Sequence, residues 1–437
     1  MKRLIILIVS IVVLLFLIAG LYIHSNHFKK ILRHKIETVT NGKVIIQDKF
    51  HVSFYPFLSL TADKVICRNP QGFGHTLFAK FDKISFSIRF IPLLFGKISL
   101  SKIKAYDGEI NILQRKNGKT NWQIMLEKIR KGNTTSRVII MPKVIDIRGV
   151  NLNIINLNTR QKSTISNINF DIKAKPVAPG NTTNDYFIDN VTLNGQLNIT
   201  AINVKNFKVR NLTAAFRQKR NHYLFSPLRA SLYGGFFEGS TGAEVTEKKR
   251  NYFLKGTFSR INIQKLLIDL LKYDRLIGIG RVNIDLRANS IDPEKMMSTV
   301  NGAIKFNIQQ GNILGVNFPS ILNLGTTLLK TITIIPLIAQ ARERQTNFGQ
   351  MSGSARIKNG ILINRDLYIL TKDIEITGEG KIDLVHKKIN FLMQIKPRGG
   401  NIIVYANFDG PLGNPEIKLI KPSAVPLLLK SILPIPV

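Results

Sequence analysis

The feature that most limits what this chain can fold into is an alternation of period two that recurs along most of its length. Ile84-Ser85-Phe86-Ser87-Ile88-Arg89-Phe90 is the clearest case, with every second residue apolar and polar residues between. Successive side chains of an extended strand point to opposite faces, so such a run makes one dry face and one wet face. Val282-Asn283-Ile284-Asp285-Leu286, Ile304-Lys305-Phe306-Asn307-Ile308 and Ile374-Glu375-Ile376 repeat the pattern. Ile389-Asn390-Phe391-Leu392-Met393-Gln394-Ile395 continues it, with Leu392 as the exception. Turn signals separate the runs: Asp107-Gly108, Lys358-Asn359-Gly360, Gly378-Glu379-Gly380 and Asp409-Gly410. The expected fold is mainly β, with antiparallel strands joined by short turns.

Helical patterns are few. Residues 262–276 carry Leu266, Leu267, Leu270 and Leu271 as an apolar stripe. Asp292-Pro293-Glu294 opens a short helix through Val300, residues 318–329 form an apolar one, and residues 122–130 read as a short amphipathic one. The apolar tail, residues 425–437, holds Pro426, Pro434 and Pro436 and is expected not to form a regular helix. So few helices cannot cover so many dry faces. Those faces must meet in a sandwich, close into a barrel, or cover something that is not protein. A large uncovered apolar surface marks a binding surface.

The chain opens with Met1-Lys2-Arg3 and a run from Leu4 to Ile23 that is apolar except for Ser10 and Gly20. About twenty helical residues at ~1.5 Å each match a hydrocarbon core of ~30 Å. That length, with only a poor cleavage site at Ile18-Ala19-Gly20, favours an uncleaved signal anchor over a signal peptide. Lys2 and Arg3 are opposed by Lys29, Lys30, Arg33 and Lys35, so local charge does not fix the topology. These four downstream residues are candidates to rest on anionic head groups.

The net charge of +36 directs the surface toward polyanions. Lys and Arg are spread along the chain, commonly at the polar positions of the strands, rather than gathered on one element among stacking aromatics. No nucleic-acid partner is therefore expected. The lone Cys67 excludes an intramolecular disulfide and a zinc site built on cysteine pairs. The seven histidines are scattered, and no GxSxG elbow occurs. Gly118-Lys119-Thr120 lacks the upstream glycine of a phosphate loop, with Leu113 in its place, and reads as a turn. Gly278-Ile279-Gly280 precedes a strand pattern rather than a helix. Asp269 and Asp274 beside Lys265 and Lys272 read as surface pairing. No catalytic residue, metal or cofactor is expected.

Val52-Ser53-Phe54-Tyr55-Pro56-Phe57-Leu58-Ser59-Leu60 resembles the start of the AsmA family. Asn69-Pro70-Gln71-Gly72, Ile91-Pro92-Leu93-Leu94-Phe95-Gly96-Lys97-Ile98 and Gly118-Lys119-Thr120-Asn121-Trp122 follow in that family's order. Asn301-Gly302-Ala303, Gly311-Asn312-Ile313-Leu314-Gly315-Val316, Asn359-Gly360, Gly378-Glu379-Gly380-Lys381-Ile382-Asp383-Leu384 and Gly410-Pro411-Leu412-Gly413-Asn414-Pro415 resemble its C-terminal end. The resemblance implies a single-pass inner-membrane protein with its body in the periplasm of a Gram-negative envelope. It implies a long, curved, mostly antiparallel β-sheet forming an apolar groove with a few short covering helices, as in bridge-like lipid transfer proteins. It further implies a non-enzymatic role in phospholipid transport to the outer membrane and in envelope integrity. The chain is short for that family and unusually basic.

On this reading the chain divides into an anchor (1–23), an N-terminal β region (24–130), a middle β region (131–258) and a C-terminal region with helices and the apolar tail (259–437). The expected partners are membrane phospholipids and the inner membrane. A scaffold for outer-membrane or envelope proteins is the alternative, and an envelope enzyme a third reading. Candidate groove residues are the dry sets Ile84, Phe86, Ile88, Phe90, Ile284, Leu286, Ile304, Phe306, Ile308, Ile374, Ile376, Phe391, Met393 and Ile395. Moving an acyl chain of about sixteen carbons through water costs roughly 13 kcal/mol, at ~0.8 kcal/mol per methylene. A continuous dry trough removes most of that cost. About twenty strands at ~4.8 Å spacing would give a trough of ~95 Å.

Overall fold

In the computed structural model of the protein, the described residues are 44–48, 50–53, 58–74, 76–88, 100–132, 142–176, 191–246, 250–290, 293–328 and 345–433. The apolar run 4–23, the basic residues Lys29, Lys30, Arg33 and Lys35, and Phe90 lie outside them. Among the described residues no helix is long and apolar enough to cross a membrane. The fold is mainly β, with twenty strands and a few short helices among the described residues. Two compact units divide the chain, Met1–Arg220 and Asn221–Val437.

The first unit contains β1 (Val44–Ile46), β2 (Phe50–Ser53), β3 (Leu58–Arg68), β4 (Leu77–Ile88), β5 (Leu100–Gln114), β6 (Val144–Asn156), β7 (Lys162–Pro176), β8 (Val191–Val204) and β9 (Phe207–Lys219). Strands β1 and β2 both pair with β3, and from β3 onward each strand pairs with the next. All pairs are antiparallel except β5–β6, where the connection includes helix α1 (Asn121–Gly132) and is long enough for a parallel return.

Helix α1 is held by the motifs that carried the family resemblance. Thr120 and Gln123 form a reciprocal cap: the Gln123 N–H donates to Thr120 Oγ1, and the Thr120 N–H donates to Gln123 Oε1. Asn121 is 0% exposed and joins three segments. Its amide donates to Asn69 Oδ1 at 2.7 Å and to the Asn111 carbonyl at 2.8 Å, and its carbonyl oxygen accepts from the Leu113 N–H. The Asn69 loop is clamped in turn by Arg115, which donates to the Gln71 and Gly72 carbonyls and stacks over Phe73. These motifs build structure rather than chemistry. Met125 and Trp122 then pack the helix on Phe78 and its neighbours.

A line of left-handed residues crosses this unit. Lys64, Asp107, Gly149, Asn167 and Asn211 all have φ between 48° and 67°. The ladder places them at one level of β3, β5, β6, β7 and β9. At this level the alternation shifts by one residue in each strand: β5 changes from Ile103 and Ala105 to Ile110 and Ile112. Strand β9 is buried at Val209 on one side of Asn211 and at Ala214 and Phe216 on the other. The shift keeps apolar residues on one face across the line. Asparagine suits it because its short amide tolerates φ > 0 and bonds nearby backbone. The Asn167 N–H donates to Asn151 Oδ1, and the Gly149 N–H to Asn169 Oδ1. Asp107-Gly108, expected as a turn, is therefore part of a strand interior, because the left-handed residue re-aims the chain without ending the ladder.

The second unit contains β10 (His222–Leu232), β11 (Gly235–Val245), β12 (Arg250–Asn262), β13 (Leu276–Ala288), β14 (Asn301–Leu314), β15 (Gln345–Lys358), β16 (Ile361–Leu370), β17 (Ile374–Asp383), β18 (Lys388–Pro397), β19 (Val404–Pro411) and β20 (Glu416–Ile420). Each pairs antiparallel with the next. Among the described residues four α-helices accompany them: α2 (Ile263–Leu271), α3 (Pro293–Thr299), α4 (Phe318–Leu328) and α5 (Val425–Ile432). The Asn359-Gly360 turn is as expected, with φ of 49° and 77° between β15 and β16.

Four expectations are corrected here. Gly378-Glu379-Gly380 is inside β17, not a turn; a Cβ at Gly378 would strike Met393 and Leu367, so the glycine serves close packing. Asp409-Gly410 likewise falls within the last residues of β19. The tail does form a helix, α5, because Pro426 occupies its first turn, where a missing N–H breaks no bond. Asp269 accepts a hydrogen bond from the Tyr233 hydroxyl at 3.0 Å, tying α2 to the β10–β11 hairpin, rather than serving only as a surface charge.

Candidate functional site

Following the ladder sideways shows where the apolar faces run. In the first unit one row passes through Val52, Leu60, Phe86, Ile103, Ile145, Ile172, Gly195 and Phe216, one residue from each of β2–β9. The adjacent row is Ala62, Ile84, Ala105, Ile147, Phe170, Leu197 and Ala214. Across the left-handed line a third row takes Cys67, Ala79, Ile110, Leu152, Ile165, Ile202 and Val209. Paired residues share a face, so these rows form one apolar surface. The first spans seven strand spacings, ~34 Å at ~4.8 Å each.

The opposite face is polar. Ser85, Lys104, Asp146, Asp171 and Gln196 form one of its rows, and Arg148 bridges Asp146 and Asp171. Hydroxyl pairs Ser59–Ser87 and Thr61–Ser85 stitch β3 to β4.

The apolar surface of this unit is not packed as a core. Ile84, Ile88, Ile103, Ile145, Ile147, Phe170 and Ile172 are only half-buried, and Phe86 is 37% exposed. Its neighbour Ser87, on the polar face, is 8% exposed. This reverses the order expected of a protein interior, where the phenyl ring would be the more hidden of the two. Among the described residues α1 is the one helix of this unit, and it packs at the Phe78 end.

The second unit carries equivalent rows in a different state. Ile261, Gly280, Ile308, Met351, Ile369, Ile376, Ile395 and Val404 run across β12–β19, and every one is buried. Helix α4 lies on β18 and β19, and α5 on β17 and β18. Phe318 of α4 meets the Phe408 ring at 5.8 Å, and Gly325 leaves no room for a Cβ against Val404. Of the sequence-derived candidates, Ile284, Ile308, Ile374, Ile376, Phe391, Met393 and Ile395 are buried here, while Leu286, Ile304 and Phe306 are half-buried.

A cavity opens within the second unit, between the start of α4 and the apolar sheet face. Its volume is about 130 Å³, and its mouth is open to solvent. Met351, Ile369, Met393 and Phe408 are among its apolar walls, and Tyr273, Arg275 and Asn414 also line it. Burial pushes the Tyr273 hydroxyl pKa up. No cluster of metal-ligating side chains occurs among the described residues.

Sequence reasoning placed Ile84, Phe86 and Ile88 on the open face but missed Ile103, Ile145, Ile172 and Phe170, which continue it. Their alternation was readable in Ile103-Lys104-Ala105 and Ile168-Asn169-Phe170-Asp171-Ile172. The cavity, assembled from many segments, left no such trace.

Against known families, the sequence profile of the AsmA family matches residues 1–134 and 143–367. The chain belongs to the AsmA family. A search of curated proteins returns no match. The family match takes in the whole open face of the first unit together with β10–β15 of the second, and it ends within β16.

Proposed function

We propose that the protein binds acyl chains on its apolar sheet face and passes phospholipid between membranes of a Gram-negative envelope, without a chemical step. The observation that carries this reading is the half-exposed apolar surface of the first unit, where Phe86 is more open than Ser87. A surface of that width, left uncovered, is costly in water and fits hydrocarbon. Its ~34 Å run exceeds the ~15 Å depth of one leaflet's hydrocarbon, so an acyl tail can lie along it without leaving apolar contact. The head group stays at the rim in water.

Family membership supports the same reading, as does the apolar run 4–23, which would anchor the chain in the inner membrane with its body in the periplasm. Lys29, Lys30, Arg33 and Lys35 would then meet anionic head groups beside the anchor. Ile374, Ile376, Phe391, Met393 and Ile395 are buried on the strands that α4 and α5 contact, and Ile284 and Ile308 are buried elsewhere on the sheet, so lipid contact is concentrated in the first unit.

The test is lipid transfer between donor and acceptor vesicles by the full chain in detergent-free form. Phe86→Asp combined with Ile145→Asp should reduce transfer at least about tenfold with the thermal unfolding profile retained, since both side chains are partly exposed. Transfer at the native rate by that folded double variant would overturn the reading.

A further inference from the structure

We propose that one rim of the first unit, made by the β6–β7 turn, the β8–β9 turn and the start of α1, docks on an anionic membrane surface, so that acyl chains reach the apolar face across it. The inference rests on the lipid-binding reading above and names the edge by which that face meets a bilayer. The ladder defines the rim. Strands β5 and β6 both end there, at Gln114 and Asn156, β7 begins there at Lys162, and the closing pair Val204–Phe207 joins β8 to β9. From β5 to β9 it runs ~19 Å, at ~4.8 Å per strand.

Three observations point to lipid. First, large apolar side chains stand exposed at turn tips, where Gly, Asn, Asp and Ser are the ordinary residues. Leu157 is 44% exposed, and Val204 and Phe207 are exposed beside Lys205. The Leu157 turn is fixed: Asn156 Oδ1 accepts from the N–H groups of Asn158 and Thr159, and the Leu157 N–H donates to the Gln114 carbonyl. Trp122, the one tryptophan of the chain, is 46% exposed at the first turn of α1, stacked on Phe78. Tryptophan favours the bilayer interface, where its ring meets both hydrocarbon and head groups.

Second, the apolar face runs out onto this rim. Ile154 follows Leu152 by two residues on β6, Val204 follows Ile202 by two on β8, and Phe207 precedes Val209 by two on β9. Alternation puts each on the face of its neighbour, so the third apolar row continues to the edge. Third, the charge is of one sign. Lys116, Lys119, Arg160, Lys162, Lys205 and Lys208 are exposed around these side chains. Residues 68–76, 115–121, 156–163 and 203–210, which form the rim, contain no aspartate or glutamate. Glu109, further into the sheet, is paired with Lys80 at 3.0 Å, and Glu127 stands further along α1. Cations interleaved with apolar side chains combine attraction to anionic head groups with shallow insertion. Strand β1 opens with Val44 opposite Cys67, on the rim side of the left-handed line, so the polypeptide from the apolar run 4–23 enters the unit here. As an anchor, that run would hold the rim near the bilayer.

The experiment uses the full chain reconstituted into vesicles of phosphatidylcholine with brominated acyl chains, alone or mixed with phosphatidylglycerol. Bromine quenches indole on contact, and Trp122 reports the rim without a label. The expected result is quenching in the phosphatidylglycerol vesicles that added salt relieves, and little in phosphatidylcholine alone. Arg160→Glu, Lys205→Glu and Lys208→Glu combined, all at exposed positions, should abolish the difference between the two vesicles. The same variant should lower lipid transfer out of phosphatidylglycerol donors about tenfold, with its thermal unfolding profile retained. Equal quenching in both vesicles, or unquenched Trp122 with native transfer by the triple variant, would overturn this inference while leaving the lipid-binding reading intact. A rim that docks on another protein would give the second of these results. Charge-dependent quenching with no lipid transfer by the native chain would overturn the passage of acyl chains together with the lipid-binding reading, leaving a docking edge.

Discussion

The two units of this protein solve the same problem in opposite ways. Both carry apolar rows eight residues long across their ladders, built from the same alternation. In the second unit helices pack at both ends of the rows, α2 on β12 and β13 and α4 and α5 on β17–β19, and Ile376 and Ile395 are 0% exposed. In the first unit the described helix covers one end, and the rows stay half-open. The difference teaches that alternation specifies a dry face but not what lies against it. What decides is whether the chain supplies apolar helices of its own. The second unit has α2, α4 and α5, with Ile263, Phe318, Ile321 and Ile432 buried on the sheet side.

The units also differ in what holds them together. The second is held by helix-on-sheet packing. The first relies more on polar stitching: the Asn121 hub, the asparagines along the left-handed line, and the cluster Lys80–Glu109–Asn153–Asn111. Each of these can be removed singly.

The largest contrast should come from placing a charge in matched rows. Ile376→Asp puts an unpaired carboxylate at a fully enclosed site and should cost at least about 4 kcal/mol, enough to unfold the second unit. Ile145→Asp in the first unit should cost about 1 kcal/mol or less, because water already reaches the site. Hydrogen exchange read separately on each unit checks this; equal losses would erase the distinction between them. Gly325→Val tests the cover itself. It should force α4 away from Val404, costing about 2 kcal/mol and raising exchange in β18 and β19 while β3–β9 are unchanged.

A smaller loss is expected at the hub. Asn121→Ala leaves the Leu113 N–H and Asn111 carbonyl without partners in a buried place and should cost about 2 kcal/mol or less, confined to the first unit. The smallest effect is a pH dependence. The hydrogen bond from Lys80 holds the Glu109 carboxyl below its ordinary range against the opposing pull of burial. A depressed carboxyl stabilises the fold above its unfolded value of ~4.3, and that contribution is lost as pH falls through the lower folded value. Stability of the first unit should therefore decline more steeply below about pH 4 in the native chain than in Glu109→Gln. Parallel acid profiles would show that this cluster contributes nothing.

Much of the fold was legible before any coordinates. The alternation gave the strands, and the helices at Asn121, Ile263, Pro293 and Phe318 begin close to where capping residues and apolar stripes place them. Errors came where one residue type has two uses. Glycine marks both a turn and a crowded strand interior, and only Met393 and Leu367 across the sheet decide the matter at Gly378. Proline breaks helices yet fits the first turn of α5. The left-handed line was hidden because a one-residue shift within a strand, such as Ile103 and Ala105 followed by Ile110, reads as imperfect alternation. Whether a dry row becomes core or open face depends on helices far away in sequence, so Phe86 and Ile376 look alike until the sheet is assembled.

The most direct measurement of the central claim is photocrosslinking in intact cells from a benzoylphenylalanine placed at Ile145 and, in a second chain, at Ile376. A lipid adduct at position 145 and none at 376 is the predicted result. Adducts at 145 to protein alone, or to lipid equally from both positions, would contradict the account.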